Sequence, residues 1–178
     1  CESTMDCAEL LGQLRKYLPE DIGIYSCREV SPRFHARLNA LEKTYQYRLW
    51  CSDAPCVFER RFVAQTEGEP DVRLMNEAAQ LFVGTHDFSA FCANKKMKKS
   101  TVRTIKSFRV ERVGEEIRFT VTGNGFLHNM VRILVGTLIE VGRGEREMES
   151  IPTLFGGKRE QAGFLAPGKG LCLMEVRY

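Results

Sequence analysis

Residues 123 to 136 read GNGFLHNMVRILVG, and no other stretch of the chain restricts the fold as tightly. Phe126, Leu127, Met130, Val131, Leu134, Val135 and Leu138 cover most of the surface of a helix predicted over about 127 to 140, so that helix must be largely buried. One stripe differs. His128, Asn129, Arg132 and Gly136 stand at i−4, i−3, i and i+4 and align on one face. A guanidinium at the centre of an apolar helix is costly unless a carboxylate, a phosphate or a set of carbonyls receives it. Gly136 on the same face leaves room for another backbone or a ligand. Two readings stay open: a structural ion pair, the commoner case on composition alone, or a site arginine. Gly123-x-Gly125 has the opening of a dinucleotide loop, but His128 occupies the third glycine position and no long βαβ unit surrounds it.

The remaining elements follow from periodicity and punctuation. Met5 to Leu18 places Leu10, Leu11, Leu14 and Leu18 at helical spacing behind Ser3-x-x-Asp6, a cap signal, and stops at Pro19. A short strand is expected over 22 to 30. Residues 42 to 50, EKTYQYRLW, alternate Tyr45, Tyr47 and Leu49 against Thr44, Gln46 and Arg48, which is strand periodicity and sets the two tyrosines on one face. Cys51 to Pro70 holds two prolines, Pro55 and Pro70, and a Gly68-Glu69-Pro70 break, and is the best boundary between subregions. A second helix runs from Asp71 as N-cap to Gly84 as its terminating glycine. Strands over 103 to 113 and 116 to 122 flank Gly114-Glu115 as a hairpin, and Leu171 to Tyr178 supplies a last strand. The order implies an α+β fold with a mostly antiparallel sheet and helices on one face.

Composition excludes several classes. Apolar residues make up 43% of 178, enough for a core, with no run long enough to span a membrane and no signal-peptide pattern at the start, so a cytoplasmic protein is expected. Seven scattered cysteines without a CxxC argue against a disulfide framework or zinc site, and three histidines lack metal spacing, so no metal is expected. Neither a GxSxG nor a GxxxxGK[ST] motif is present. A net charge of +3 is shared by ordinary enzymes, so its placement matters more. The tract 95 to 106, KKMKKSTVRTIK, carries six basic residues in twelve and no acid, as either a phosphate footprint or a solvated loop. Arg33, His35 and Arg37 bring donors near the aromatic strand; its tyrosines are core residues or base-stacking platforms.

Taken together, five ordered segments resemble the TruA-type tRNA pseudouridine synthases. RFHARLNALEKTYQY (33 to 47) is similar to the family's FHAR and K-x-Y-x-Y stretch, GTHDFSAF (84 to 91) to its G-x-x-D-F-x-x-F, and STVRTI (100 to 105) to its serine-to-RTI segment. GFLHNMVRILVG (125 to 136) resembles its F-L-x-x-M-V-R-x-x-V-G helix and APGKGLCLMEVRY (166 to 178) its C-terminal strand. The family's G-R-T-D-x-G-V-H-A loop, which carries the nucleophilic aspartate and the arginine implicated in base flipping, is not among these residues. None of Asp6, Asp21, Asp53, Asp71 and Asp87 stands in an R-T-D context, so the nucleophile is assigned to none of them. The loop is expected to precede Cys1, where the chain begins without a methionine as if cut.

The resemblance implies two ferredoxin-like halves meeting at a cleft, homodimers, no cofactor, and isomerisation of uridine to pseudouridine in the anticodon stem-loop of tRNA. It would assign residues 1–55 to the end of the first, catalytic half, 56–70 to a linker and 71–178 to a C-terminal α+β domain. By the same resemblance Tyr45 packs on the uracil and helps remove its C5 proton, Leu127 lines the substrate pocket, and Arg132 pairs with and orients the nucleophile. Phe34, His35, Ala36, Arg37 and Leu38, with Ser100, Thr101, Val102 and Arg103, would contact tRNA. The chain alone is then expected to be inactive. A non-catalytic RNA-binding module and a plain interaction domain are the alternatives; an R-T-D loop in the parent gene separates the first reading from both.

Overall fold

A computed structural model describes residues 3–94 and 99–178. Lys95, Lys96, Met97 and Lys98, which open the basic tract, lie outside the described residues. Contacts divide the chain into two compact units, Cys1–Asn39 and Ala40–Tyr178.

Among the described residues the first unit contains one helix, α1 (Cys7–Tyr17). Its N-cap is Asp6, whose carboxylate accepts the Glu9 N–H at 2.8 Å, so the capping signal acts through Asp6 and not Ser3. The strand expected over 22 to 30 does not form. Arg15 instead draws this stretch to the helix, donating to the Ile24 and Tyr25 carbonyls at 2.9 and 3.1 Å. A strand needs a partner edge, and side-chain donors satisfy these carbonyls first.

The second unit is a six-stranded sheet with helices on one face. Its elements are β1 (Glu42–Trp50), β2 (Ala64–Gln65), α2 (Val72–Gln80), β3 (Gly84–Asp87), β4 (Val102–Val113), β5 (Glu116–Gly123), α3 (Met130–Gly142) and β6 (Leu171–Arg177). The strand order is β2-β1-β5-β4-β3, with β6 also on β1; only the short β1–β2 pairing is parallel. The sheet is therefore mostly antiparallel, as expected from the order of elements.

Strand alternation sorts the two faces. Tyr47, Leu49, Phe119, Val121, Phe108 and Val110 point into the core with α2 and α3, whereas Gln46, Arg48, Arg118 and Thr120 face away. The β4–β5 hairpin turns at Gly114, whose φ of +60° is open to glycine at no steric cost. Asp71 caps α2 as expected, accepting from Arg73 and Leu74 at 2.8 and 3.0 Å. The helix ends at Gln80, earlier than the Gly84 stop; Gly84 opens β3, a strand the sequence pattern did not announce.

The linker expected over 56 to 70 does not separate two bodies. β1 pairs along its whole length with β5 and along most of it with β6, so residues 42 to 50 belong to the same sheet as 116 to 123 and 171 to 177. The division between compact units falls at Asn39 and Ala40, where no proline or glycine cluster marks it. Among the described residues no helix is long and apolar enough to cross a membrane.

Candidate active site

The site is built on α3. Ten of its thirteen residues are buried, as the apolar sequence requires, and Arg132 stands among them as a half-buried exception. The helix starts later than the periodicity suggests. Asn129 is the N-cap, in left-handed backbone at φ 61° and ψ 10°, so His128 and Asn129 precede the helix and do not share its face. Asn129 still reaches Arg132, because its Oδ1 accepts from Nη1 at 3.1 Å.

A strap from residues 162 to 170 supplies the other contacts of the guanidinium. Arg132 Nε donates to the Ala166 carbonyl at 2.7 Å, and the Ala166 N–H returns a bond to the Arg132 carbonyl at 3.3 Å. Gly136 allows this approach, since a Cβ there would overlap the Phe164 carbonyl. The Gly163 N–H donates to Thr137 Oγ1 at 3.0 Å, fixing the strap one helical turn further along. The open face of Gly136 therefore receives backbone, not ligand. Among the described residues no carboxylate pairs with Arg132; its partners are one carbonyl and one amide oxygen.

β1 brings the aromatic residues to the same region. Tyr47 is fully buried and its hydroxyl donates to the Pro167 carbonyl at 2.9 Å, one residue along the strap from the acceptor of Arg132. Burial pushes the Tyr47 hydroxyl well above the usual tyrosine range, opposed by the nearby Arg132 charge, so it remains a donor at neutral pH. Tyr47 is thus a core residue. Tyr45 stands one pleat away, half-buried, with its ring edge-on to Phe126 at 5.2 Å. A bulge at Thr44/Tyr45 in the β1–β6 pairing interrupts the ladder beside it, a device that re-aims side chains. Leu127 is 6% exposed and lies in the hydrophobic core at the entry to α3.

The nominated RNA-contact residues fall in both units. In the first, His35 organises a tight turn: its Nδ1 accepts the Arg37 and Leu38 N–H groups at 3.2 and 3.3 Å, and its own N–H donates to Asn39 Oδ1 at 2.7 Å. Ala36, Arg37 and Leu38 are exposed on that turn and Phe34 is half-buried. In the second, Ser100 Oγ accepts the Val102 N–H at 3.2 Å, and Arg103 donates to the Ser100 and Val102 carbonyls at 2.9 and 2.6 Å. Thr101 donates to Asp87 Oδ1 at 2.5 Å, and the Asp87 carbonyl accepts from Gly156 at 2.9 Å. Asp87 thereby ties β3 to the approach to β4 and to the segment after α3.

The sequence reading missed the strap as a site element. The APG triplet at 166 to 168 was visible, but only as the approach to the last strand. Among the described residues no three metal-ligating side chains come together.

Comparison with known proteins agrees with the ordered motifs. The family model described as tRNA pseudouridine synthase matches residues 78–178. The tRNA pseudouridine synthase A of Anoxybacillus flavithermus is 46% identical over 166 residues, covering 93% of this chain and 67% of that protein. Its counterpart in Shouchella clausii is 42% identical over 178 residues, covering 99% of this chain and 68% of the relative. That of Halalkalibacterium halodurans is 44% identical over 159 residues, 89% of this chain and 60% of the relative. The family-model match runs through α3 and the strap, the elements that assemble around Arg132, the relatives' matches cover most of the chain, and the chain belongs to the tRNA pseudouridine synthase family.

Proposed function

We propose that this chain is the base-holding and nucleophile-orienting portion of an enzyme that isomerises uridine to pseudouridine in the anticodon stem-loop of tRNA. The observation that carries the reading is Arg132: a half-buried guanidinium with carbonyl and amide partners but no carboxylate among the described residues. A charge so placed favours an anionic partner. The family's nucleophilic aspartate, on an R-T-D loop that these 178 residues do not contain, has the matching chemistry.

The reaction is balanced without a cofactor. The aspartate promotes cleavage of the N1–C1′ glycosidic bond, and the detached uracil turns within the pocket. C5 then bonds to C1′, the C5 proton leaves, and N1 gains a proton. Arg132 keeps the aspartate ionised and aimed. Tyr45 packs on the uracil, with its hydroxyl near the departing C5 proton, and Leu127 closes the apolar wall of the pocket. The target uridine is inaccessible inside a stacked stem and must be extruded. Phe34, His35, Ala36, Arg37 and Leu38, together with Ser100, Thr101, Val102 and Arg103, hold the RNA through its backbone and shape. The working enzyme is a cytoplasmic homodimer, and these residues alone bind without turning over.

The test is incubation of the purified chain, and of the full-length protein carrying the R-T-D loop, with a uridine-containing anticodon stem-loop. Pseudouridine should form only with the loop present. Formation by the isolated chain would refute the assignment of the nucleophile, and failure of the full-length protein would refute the enzymatic reading.

A further inference from the structure

Among the described residues Asn129 is the only non-glycine with a left-handed backbone, at φ 61° and ψ 10°. That conformation is disfavoured for side chains with a Cβ, asparagine being among the more tolerant, and it persists where surrounding structure enforces it. A second departure occurs at the same residue. An N-cap asparagine ordinarily accepts an N–H from the first helical turn, yet the Asn129 side chain makes no capping bond. Its Oδ1 is turned to Arg132 Nη1 at 3.1 Å, while its backbone carbonyl still accepts the Ile133 N–H at 3.1 Å. Both departures give up local stability for the same outcome, a fixed acceptor beside the guanidinium.

The consequence for Arg132 is geometric. Its Nε is held by the Ala166 carbonyl and its Nη1 by Asn129, so the planar group is fixed at two of its three nitrogens. Gly168 lies against the guanidinium, with a Cβ there coming 3.6 Å from Cζ and Nη1. Among the described residues no hydrogen bond uses Nη2 and no buried side-chain nitrogen lacks a partner, so Nη2 is not buried and is left open to a further acceptor. A guanidinium clamped on two sides presents its remaining donors in one direction with little freedom left to lose.

We infer that Asn129 is a positioning residue of the synthase, its left-handed backbone and Oδ1 setting the guanidinium of Arg132 so that Nη2 faces the nucleophilic carboxylate. The inference rests on the reading of Arg132 as the partner of that carboxylate. The contribution of Asn129 is to orientation, and it touches neither uracil nor ribose.

The experiment uses the full-length protein with Asn129→Gly and Arg132→Lys, assayed under single-turnover conditions on anticodon stem-loop RNA across pH. Glycine adopts the left-handed backbone freely and removes only the amide acceptor, so Asn129→Gly should fold and melt at or above the parent temperature. Its turnover should fall about tenfold with the KM for RNA unchanged. The acidic limb of its pH–rate profile should move upward, because a loosely held guanidinium stabilises the carboxylate anion less. A structural role would lower the melting temperature and leave that limb in place, and this result overturns the proposal. Unchanged turnover in Asn129→Gly alongside a defective Arg132→Lys overturns the role of Asn129 alone. An Arg132→Lys protein with parental rate and pH limb overturns the underlying reading as well.

Discussion

Two arginines of the second unit sit in comparable burial but opposite company. Arg48, on the helix-free face of the sheet, lies directly across from Arg118, and Glu116 bridges the two. Glu116 is 6% exposed and accepts from Arg48 Nε and Arg118 Nε at 3.0 Å each, and Glu59 adds a further carboxylate to Arg48. Among the described residues the partners of Arg132, on the helix side, are the Ala166 carbonyl and the Asn129 amide. Among the described residues Arg48 has carboxylate partners and Arg132 has none, an asymmetry that the proposed function reads as room for an anion beside Arg132. Neither arginine could be sorted by residue type, since both stand in amphipathic or apolar contexts.

The comparison is most exposed to replacement of Arg132 itself. In the full-length protein Arg132→Met should reduce turnover on the order of 10³-fold, the scale for removing a preorganised charge contact at a reacting centre, while costing about 2 kcal/mol of stability for two lost hydrogen bonds. Single-turnover assays and urea melts give the two numbers; a large stability loss without loss of turnover would put Arg132 in the class of Arg48. Gly136→Ala should cost about 3 kcal/mol, because the new methyl meets the Phe164 carbonyl and forces the strap off α3. Thermal unfolding would show it, and a change under 1 kcal/mol would mean that the strap yields easily.

Glu116→Gln should cost about 2 kcal/mol in urea unfolding and leave turnover intact, since it strips charge from the structural cluster only. The Arg48 and Arg118 hydrogen bonds, against a smaller desolvation effect, hold the Glu116 carboxyl below the usual carboxylate range. A depressed folded pKa gives stability that is complete above the unfolded value of about 4.3 and is lost as pH falls through the folded value. The acid end of the unfolding free-energy profile should therefore be flatter in Glu116→Gln than in the parent. Tyr47→Phe should have the smallest effect, about 1 kcal/mol for the hydrogen bond to Pro167, measured by melting.

Local chemistry made much of the fold legible in the residues. Asp71 capped α2 as its sequence position announced, because a cap needs only the next three N–H groups. The turn at Gly114 and the alternation in 42 to 50 followed from backbone geometry within a few residues. Family motifs, being ordered along the chain, were legible for the same reason. Failures arose where an element depended on a distant edge. Residues 22 to 30 had strand-like composition but Arg15 took their carbonyls, and β3, four residues long, exists because β4 offers it a ladder.

The candidate site divides in the same way. The sequence by itself singled out Arg132 as a charge that the apolar helix could not satisfy, and Tyr45 and Tyr47 as neighbours on one face. It did not distinguish the two tyrosines, one pinned to Pro167 at 120 residues' separation and the other left half-buried beside Phe126. Nor did it identify the acceptor of Arg132, Ala166, which lies 34 residues away. Helix periodicity and capping are decided by neighbours in sequence, whereas the partner of a buried charge is decided by which backbone the closed sheet brings within 3 Å of it, and that only the tertiary structure decides.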